Sequence, residues 1–600
     1  MNKNTYTWDL SALLKSDDDP AAKEKRKIIE RKISAFVKKW KERDDYLEDP
    51  LVLKLALDEY EKLRHTFWPD GDEALYFILR REQNENDPKI KAKLNNVSDF
   101  SIKLTNDIQF FALKVAKIAK NKQKLFLDNP ELSPYKHFLE KLFKRSDHLL
   151  SDAEEKILNL KDDVSYGNWV KMTSSFLAKE SAVITHGDKT KKEYNFSEFI
   201  SLMRGPDKIT RDNAAKEFNK ILEKYSDVAE IELNSVLANK KIEDELRDYK
   251  KPESARLMSD DIEEEIVDRM VKIVSDNFSV PNEFYKLKAN LFGLSHLEYH
   301  ERNLDYGKIN KKYDLQEAIA LIDRVTKKLD PEFNQLFQQF LDNNLIDVFP
   351  KKGKRGGAFC MNNLLTEPTF ILLNYTGRLN DVTTFAHELG HGINAELMKK
   401  KQNALNFDTS LAVAEVASTF MEDFVLDEIL KDADDDLRLG ILINKLDNDV
   451  STIFRQIACF QFERELHAEF RKKNYLPKEE IGKLFQKHMK AYMGDFVEQS
   501  PGSENWWVYW NHIRSYFYNY SYANGLLISK ALQKIVKENP ENIVKVKTFL
   551  SEGTSKSPRQ IFKDQGFDIS EESFWQNGIE EIKLTLRETE RLIKKLSRKQ

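Results

Sequence analysis

Two histidines four residues apart, in His387-Glu388-Leu389-Gly390-His391, constrain this chain more than any other feature. On a helix, positions i and i+4 lie one above the other, so both imidazoles can direct a nitrogen at one cation. A fold that uses them must run a regular helix through 387–391. It must also bring a third ligand from another rigid element and leave one position open for water. Glu388 turns toward the side where that water sits, the place of a general base in zinc-dependent hydrolysis. A chain with 11 His and 100 acidic residues among 600 contains His-acid-x-x-His about 0.03 times by chance, so the neighbouring residues have to decide.

Asn380 and Asp381 are suited to cap this helix, and Val382, Phe385, Ala386, Leu389, Ile393 and Leu397 form its apolar stripe. His387, His391, Asn394 and Met398 fall on a different face, which predicts that they look into a cleft. Gly390 in a helix interior costs roughly 1 kcal/mol relative to Ala, so another backbone is expected to approach closely there. Leu411 to Glu422 reads as a second helix. Glu415, Ser418, Thr419 and Glu422 share one face of it, and Ala412, Ala414 and Ala417 are small enough for close packing. Glu415 is the expected third metal ligand. Glu422 is set to accept the second N–H of a liganding histidine. The competing reading makes both glutamates part of a solvated helix face.

His387-Glu-Leu-Gly-His391, followed 24 residues later by Glu415-Val-Ala-Ser, resembles the oligoendopeptidase F branch of the thimet-oligopeptidase family of zinc peptidases. Further segments are similar to that family and stand in its order. They are Trp8-Asp9-Leu10-Ser11, Gly353 to Phe359, Phe370 to Gly377, Asn380-Asp381-Val382, Tyr518-x-Tyr520-x-Tyr522-Ala523, and Phe549-Leu550-x-x-Gly553 through Phe574-Trp575. The resemblance implies a mainly α fold with a deep channel between two helical lobes, open to unstructured oligopeptides and closed to folded proteins, and one Zn2+ per chain. Where the family often carries another His after the second histidine, this chain reads Gly392-Ile393-Asn394-Ala395. Tyr299-His-Glu-Arg-Asn-Leu-Asp305 is a loose match. Both departures spare the expected ligands and bear on substrate preference.

Composition agrees with a helical protein: 20 Gly and 16 Pro in 600 residues lie below the usual ~7% and ~5%. A net charge of −4 argues against a nucleic-acid partner, which would need a clustered basic excess. Lys594, Lys595, Arg598 and Lys599 read as a frayed, solvated helix end. No apolar run spans a bilayer, and Met1 to Trp8 has no apolar leader core, so a cytoplasmic location is expected. Cys360 and Cys459 read as thiols.

Asp19-Pro20 opens a helix whose buried face carries Ile29, Ile33, Phe36, Val37 and Trp40. Near residues 182–196 the periodicity changes, and Gly187-Asp188 between short β-tending stretches predicts a hairpin. A soft boundary there separates an N-terminal helical lobe, 1–180, from a catalytic part, 181–600; one interlocked fold would read the same. Gly357 to Met361 and Thr369 to Tyr375 are short strand candidates directly before the histidine helix, predicting a small sheet beside it. Phe370 and Tyr375 are assigned to a strand that pairs with an extended substrate, with a purely structural sheet as the competitor.

The expected reaction is hydrolysis of an internal peptide bond, with Glu388 taking the proton of an activated water and passing it to the leaving amine. His512 sits where relatives place a transition-state donor. Tyr509, one turn earlier, and Tyr520, two turns later, are assigned to substrate binding on the same face; an aromatic core stripe is the alternative. A carboxypeptidase or dipeptidase would instead need a cation for the terminal carboxylate, with Arg355, Arg378 and Arg514 as candidates. A peptide-binding protein with structural zinc would not need Glu388, and a metal-free helical scaffold would use none of this chemistry.

Overall fold

The computed structural model describes residues 6–307 and 311–598; Met1 to Thr5 of the N-terminal stretch and Lys599 of the basic end lie outside them. The protein is mainly α-helical, and its helices begin where short polar side chains can satisfy the first free amides. Asp49, Asp87 and Asp330 each precede a first-position proline and accept a main-chain N–H from the first turn. The first long helix, Ala21–Trp40, starts one residue later than expected; Asp19 still accepts the Ala21 N–H at 2.9 Å, and Ile33, Phe36 and Trp40 are buried.

The chain forms two compact units. One comprises Met1–Asp147, Asn310–Asp432 and Leu532–Asp568; the other comprises His148–Ile309, Ala433–Ala531 and Ile569–Gln600. The first holds a helical core built on Phe36, Trp40, Tyr46, Leu57 and Phe111, and a three-stranded sheet. In that sheet Phe370–Leu372 is central, parallel to Ile346–Asp347 and antiparallel to Phe359–Met361. Trp8 stitches it: its indole N–H donates to Leu345 O (3.1 Å) and Ile371 O (2.8 Å), and its ring packs on Phe370. The second unit holds the 39-residue helix Lys208–Leu246 and the expected hairpin, Ser181–Thr185 antiparallel to Lys191–Asn195. Among the described residues no helix is long and apolar enough to cross a membrane.

Candidate metal centre

Helix Leu379–Lys401 carries both histidines. Its cap differs from expectation. Arg378 is the N-cap, and Asp381 acts from inside the first turn, accepting the N–H groups of Thr376 (2.7 Å) and Arg378 (3.0 Å). An anion there is favoured by the positive end of the helix. The apolar stripe from Val382 to Leu397 is buried, which leaves the His387 and His391 side chains 26% and 25% exposed. Asn394 and Met398 do not share that openness: Asn394 donates to Leu550 O and both are buried, so the open part of the face ends at His391.

Gly390 has the predicted reason. A Cβ at this position would stand 2.5 Å from Ala417 O and 2.6 Å from the Ser418 Cα, so the two helices meet backbone to backbone. The second helix is Val416–Lys431, and Glu415 is its N-cap rather than a residue within a helix from 411; residues 411–415 form turns. A carboxylate at a helix N-terminus lies at the favourable end of the dipole. Thr419 donates from both N–H (3.1 Å) and hydroxyl (2.7 Å) to Glu415 O, and Ser418 Oγ donates to the Glu415 carboxylate at 3.1 Å.

The ligating atoms of His387, His391 and Glu415 all lie within 4.8 Å of one another. Glu415 Oε2 is 3.3 Å from His387 Nε2 and 3.7 Å from His391 Nε2. Two donor atoms bound tetrahedrally to zinc at about 2.0–2.1 Å stand about 3.3–3.4 Å apart, so the spacing fits a small divalent ion. Glu422 Oε2 lies 3.3 Å from His387 Nδ1, which leaves Nε2 as the nitrogen turned to Glu415.

The electrostatics point the same way. Burial disfavours a charged His387, but Glu415 and Glu422 overcome it and hold its pKa up at about 10. Without a metal, therefore, His387 holds a proton whose charge offsets one of the two carboxylates. Burial lowers His391 to about 4 against the pull of Glu415, so it is a neutral donor at physiological pH. Burial would raise Glu415, yet the His387 hydrogen bond and the two imidazoles bring it down to about 2. Glu388, 7% exposed, is raised to about 7, chiefly by burial, opposed by His387 and by the Cys360 main-chain N–H.

The Cys360 contact follows from the sheet register. Ile371 N donates to Leu345 O, away from Phe359–Met361, so Cys360, opposite Ile371, directs its own N–H and C=O to the outer edge. Phe370–Leu372, expected to pair with substrate, has both sides occupied. Phe370 is buried beneath Trp8, and Tyr375 is buried with its hydroxyl donated to Tyr313 O at 2.8 Å. The assignment of Phe370 and Tyr375 to a peptide-pairing strand is corrected by that placement: both belong to the structural core.

The family model described as "Peptidase family M3" matches residues 201–581, and the one described as "Oligopeptidase F" matches 115–179. The chain belongs to peptidase family M3. It is a metallo-oligoendopeptidase of the oligoendopeptidase F branch. An "Oligoendopeptidase F homolog" from Borreliella burgdorferi is 25% identical over 98% of this chain and 98% of its own length. "Oligopeptidase PepF" from Bacillus subtilis is 25% identical over 82% of this chain and 74% of its own. A crystal structure from Chlamydophila abortus has the same fold, with a TM-score of 0.87 at 22% identity over 98% of each chain. That of oligoendopeptidase-F from Enterococcus faecium gives 0.70 at 18% identity over 96% of this chain and 99% of the other.

This M3 peptidase carries His512 in the second unit, on the short 3-10 helix Asn511–Arg514. Its Nδ1 accepts the Trp510 indole N–H at 3.0 Å, so Nε2 carries the proton and faces the Tyr522 hydroxyl at 3.1 Å. Tyr509 is half-exposed against Phe218 and Trp506. Tyr520 is fully buried and donates to Asp260 at 2.6 Å, while Tyr518 and Tyr522 flank the imidazole. The helical-face argument for Tyr520 is therefore corrected: the helix begins only at Tyr520, and Tyr516 and Phe517 before it have φ of 48° and 59°. The motif Tyr518-x-Tyr520-x-Tyr522 contained the neighbours of His512, but without a helix from 512 the spacing could not select them. Of the arginines considered for a terminal carboxylate, Arg514 is buried and doubly bonded to Glu232, Arg355 pairs with Glu82 at 3.1 Å, and Arg378 caps the histidine helix.

Proposed function

We propose that this chain hydrolyses internal bonds of short, unstructured peptides at a zinc ion held by His387, His391 and Glu415, with Glu388 as general base. The observation that carries the reading is the convergence of two imidazole nitrogens and one carboxylate oxygen at tetrahedral-edge spacing. Bound there, zinc supplies Lewis acidity, polarising the scissile carbonyl and bringing the pKa of a water toward ~7. Glu388 takes the proton of the attacking water and returns it to the leaving nitrogen. Glu422 holds His387 Nδ1–H and fixes the ring. The outer edge of Phe359–Met361 offers the Cys360 carbonyl to an extended peptide, a mode that gives affinity with little side-chain selectivity. His512, its tautomer set by Trp510, is the donor to the oxygen on which charge develops. Two free thiols, Cys360 and Cys459, accord with a cytoplasmic location.

A peptide blocked at both ends and carrying an internal fluorogenic bond tests this, since only an endopeptidase cleaves it. Glu388→Gln is expected to keep its metal by elemental analysis and to lose turnover by about 10²–10⁴-fold. An active Glu388→Gln variant would remove the base assignment, and a wild-type enzyme indifferent to chelators would remove the metal.

A further inference from the structure

We propose that Arg355 is a specificity-determining residue that binds a carboxylate of the substrate, so that this chain favours peptides with an acidic group within about three residues of the bond that is cut, at ~3.3 Å per extended residue. The inference rests on the reading of the outer edge of Phe359–Met361 as the edge that pairs with peptide. It adds the charge that the peptide carries at one end of that edge. The strand, the histidine helix that it packs against and the loop bearing Arg355 all belong to the first compact unit.

Residues 351–357, Lys-Lys-Gly-Lys-Arg-Gly-Gly, lead into the strand, and the buried acids beside them are each shared by two cations. Glu82, 1% exposed, takes Arg81 on one carboxylate oxygen (Nε at 3.0 Å) and Arg355 on the other (Nη1 at 3.1 Å). Asp347 is fully buried and pairs with Lys354 at 2.7 Å and with Lys351 at 3.3 Å. A surplus of positive charge therefore remains at the start of the strand. Lys354 is buried and donates to Asp347 and to the carbonyls of Phe349 (2.9 Å) and Leu373 (2.6 Å), so it holds the loop rather than a ligand.

Arg355 is the part of that surplus that reaches a ligand. Its side chain is 51% exposed, and its guanidinium stands 5.6 Å from the centre of the Phe359 ring. Glu82 engages Nη1 alone; among the described residues Nε and Nη2 have no partner, and this free edge matches the two oxygens of a carboxylate. The loop is held in place beforehand. Asn374 Nδ2 donates to Arg355 O (2.9 Å) and Gly357 O (2.7 Å), Arg355 N donates to Glu82 O at 2.9 Å, and Glu85 N donates to Gly353 O at 2.7 Å. A Cβ on Gly356 or Gly357 meets nothing within 4 Å, so the space beside the chain is open there. The pleat then selects the position. Phe359 and Met361 project to one face of the strand and Cys360 to the other, and a paired peptide alternates in step, so a substrate side chain on the Phe359 face is the one that meets the guanidinium.

The test reads binding apart from turnover. Metal-loaded Glu388→Gln protein is titrated with dye-labelled peptides blocked at both ends, in which a single Glu in an otherwise uncharged sequence is compared with Gln. The Glu peptide is expected to bind at least about fivefold more tightly, and Arg355→Gln on the same background should abolish the difference. With wild-type protein, mass spectrometry of the products should show the cut at a constant distance from the Glu as it is walked along the sequence. Uncharged peptides ending in a free acid or an amide separate the sources of the group. A gain confined to internal Glu makes a side chain the occupant, and a gain confined to the free acid makes it the terminal carboxylate, with cuts at a fixed distance from the C-terminus. A preference that survives unchanged in Arg355→Gln, cuts that ignore the acidic group, or no preference for either kind of acid overturns the site. An Arg355-dependent preference in a protein that cleaves nothing sinks the proposed function and leaves the carboxylate site standing; cleavage without preference does the reverse. Should Arg355→Gln not fold by circular dichroism, Arg355→Lys keeps the charge facing Glu82 but loses the planar fork. A preference at least halved in that variant then supports the site, and an undiminished one overturns it.

Discussion

The pair of helices bearing His387, His391, Glu415 and Glu422 and the segment from His512 to Tyr522 position functional side chains in opposite ways. In the first, the helical repeat sets the spacing of the histidines, and a backbone contact at Gly390 sets the distance to the next helix. In the second, Tyr516 and Phe517 occupy the left-handed region at φ of 48° and 59°, a strain of order 1–3 kcal/mol for each bulky residue. Side chains hold that segment. Glu463 accepts the Phe517 N–H at 2.7 Å, Arg256 donates to the carbonyls of Ser515 (3.0 Å) and Tyr516 (3.1 Å), and Tyr166 stacks on the Tyr516 ring. A centre built from backbone regularity is sensitive to added volume and to its own ligand shell. A segment built from tethers is sensitive to single hydrogen bonds.

The strongest expected effect falls on the ligand shell. Glu422→Gln leaves the three ligating residues in place but removes the charge that holds His387 Nδ1–H, and should weaken metal binding about 10–100-fold in a competition titration with a chromogenic chelator. Unchanged affinity would return Glu422 to a solvated helix face. Next come the two glycines of the same helix. Gly390→Ala drives a methyl group into Ala417 O and the Ser418 Cα, neither of which can swing aside, so a net loss of about 1–3 kcal/mol by denaturant unfolding is expected, with weaker metal binding as Glu415 is displaced. At Gly392 the atom nearest to an added methyl, at 2.7 Å, is the tip of the Phe340 ring, which can move. Gly392→Ala should therefore be the milder change, and equal losses at the two positions would mean that the helix contact at Gly390 is not what sets the site.

The same contrast explains what can be read from the sequence. His387, His391 and the need for a glycine at 390 follow from one helical period and a volume argument, and the structure has them as expected. Glu415 is legible as a partner although its helix starts later than the pattern implies, because a residue at the N-cap keeps its register with Ser418, Thr419 and Glu422. Phe370 is misjudged from sequence because a strand does not announce which of its edges is covered; that depends on Trp8 and Leu345, far away in the chain. Tyr520 is favoured over Tyr522 because spacing arguments assume a regular backbone, and positive φ at two non-glycine residues is not foreseeable from Tyr516-Phe517.

A third effect is about tenfold per pH unit. In the metal-free protein His387 keeps its proton up to about pH 10, and the metal must displace it, since only the neutral imidazole coordinates. Below that pKa each unit of acidification cuts the neutral, metal-competent fraction of His387 by about ten, so apparent metal affinity should rise with pH from 7 to 9 by about tenfold per unit. His391, at about 4, adds nothing to the slope in this range. Metal-buffered titrations at three pH values check this, and a flat profile would mean that Glu415 and Glu422 do not hold a proton on His387.

The smallest effect separates two tyrosines two residues apart. Tyr520→Phe removes the hydroxyl that donates to the buried Asp260, so stability should fall by about 1–3 kcal/mol while kcat of the folded enzyme stays near wild type. Tyr522→Phe removes the hydroxyl facing His512 Nε2 on a half-exposed ring, so the melting temperature should hardly move and kcat should fall by about a few-fold, in keeping with one neutral hydrogen bond. Measured side by side, the pair asks whether the tethered segment serves the fold through its buried tyrosine and the reaction through its open one. The reverse pattern, with Tyr520→Phe slow and stable and Tyr522→Phe unstable, would mean that the functional face of this segment is the one its helical spacing first indicated.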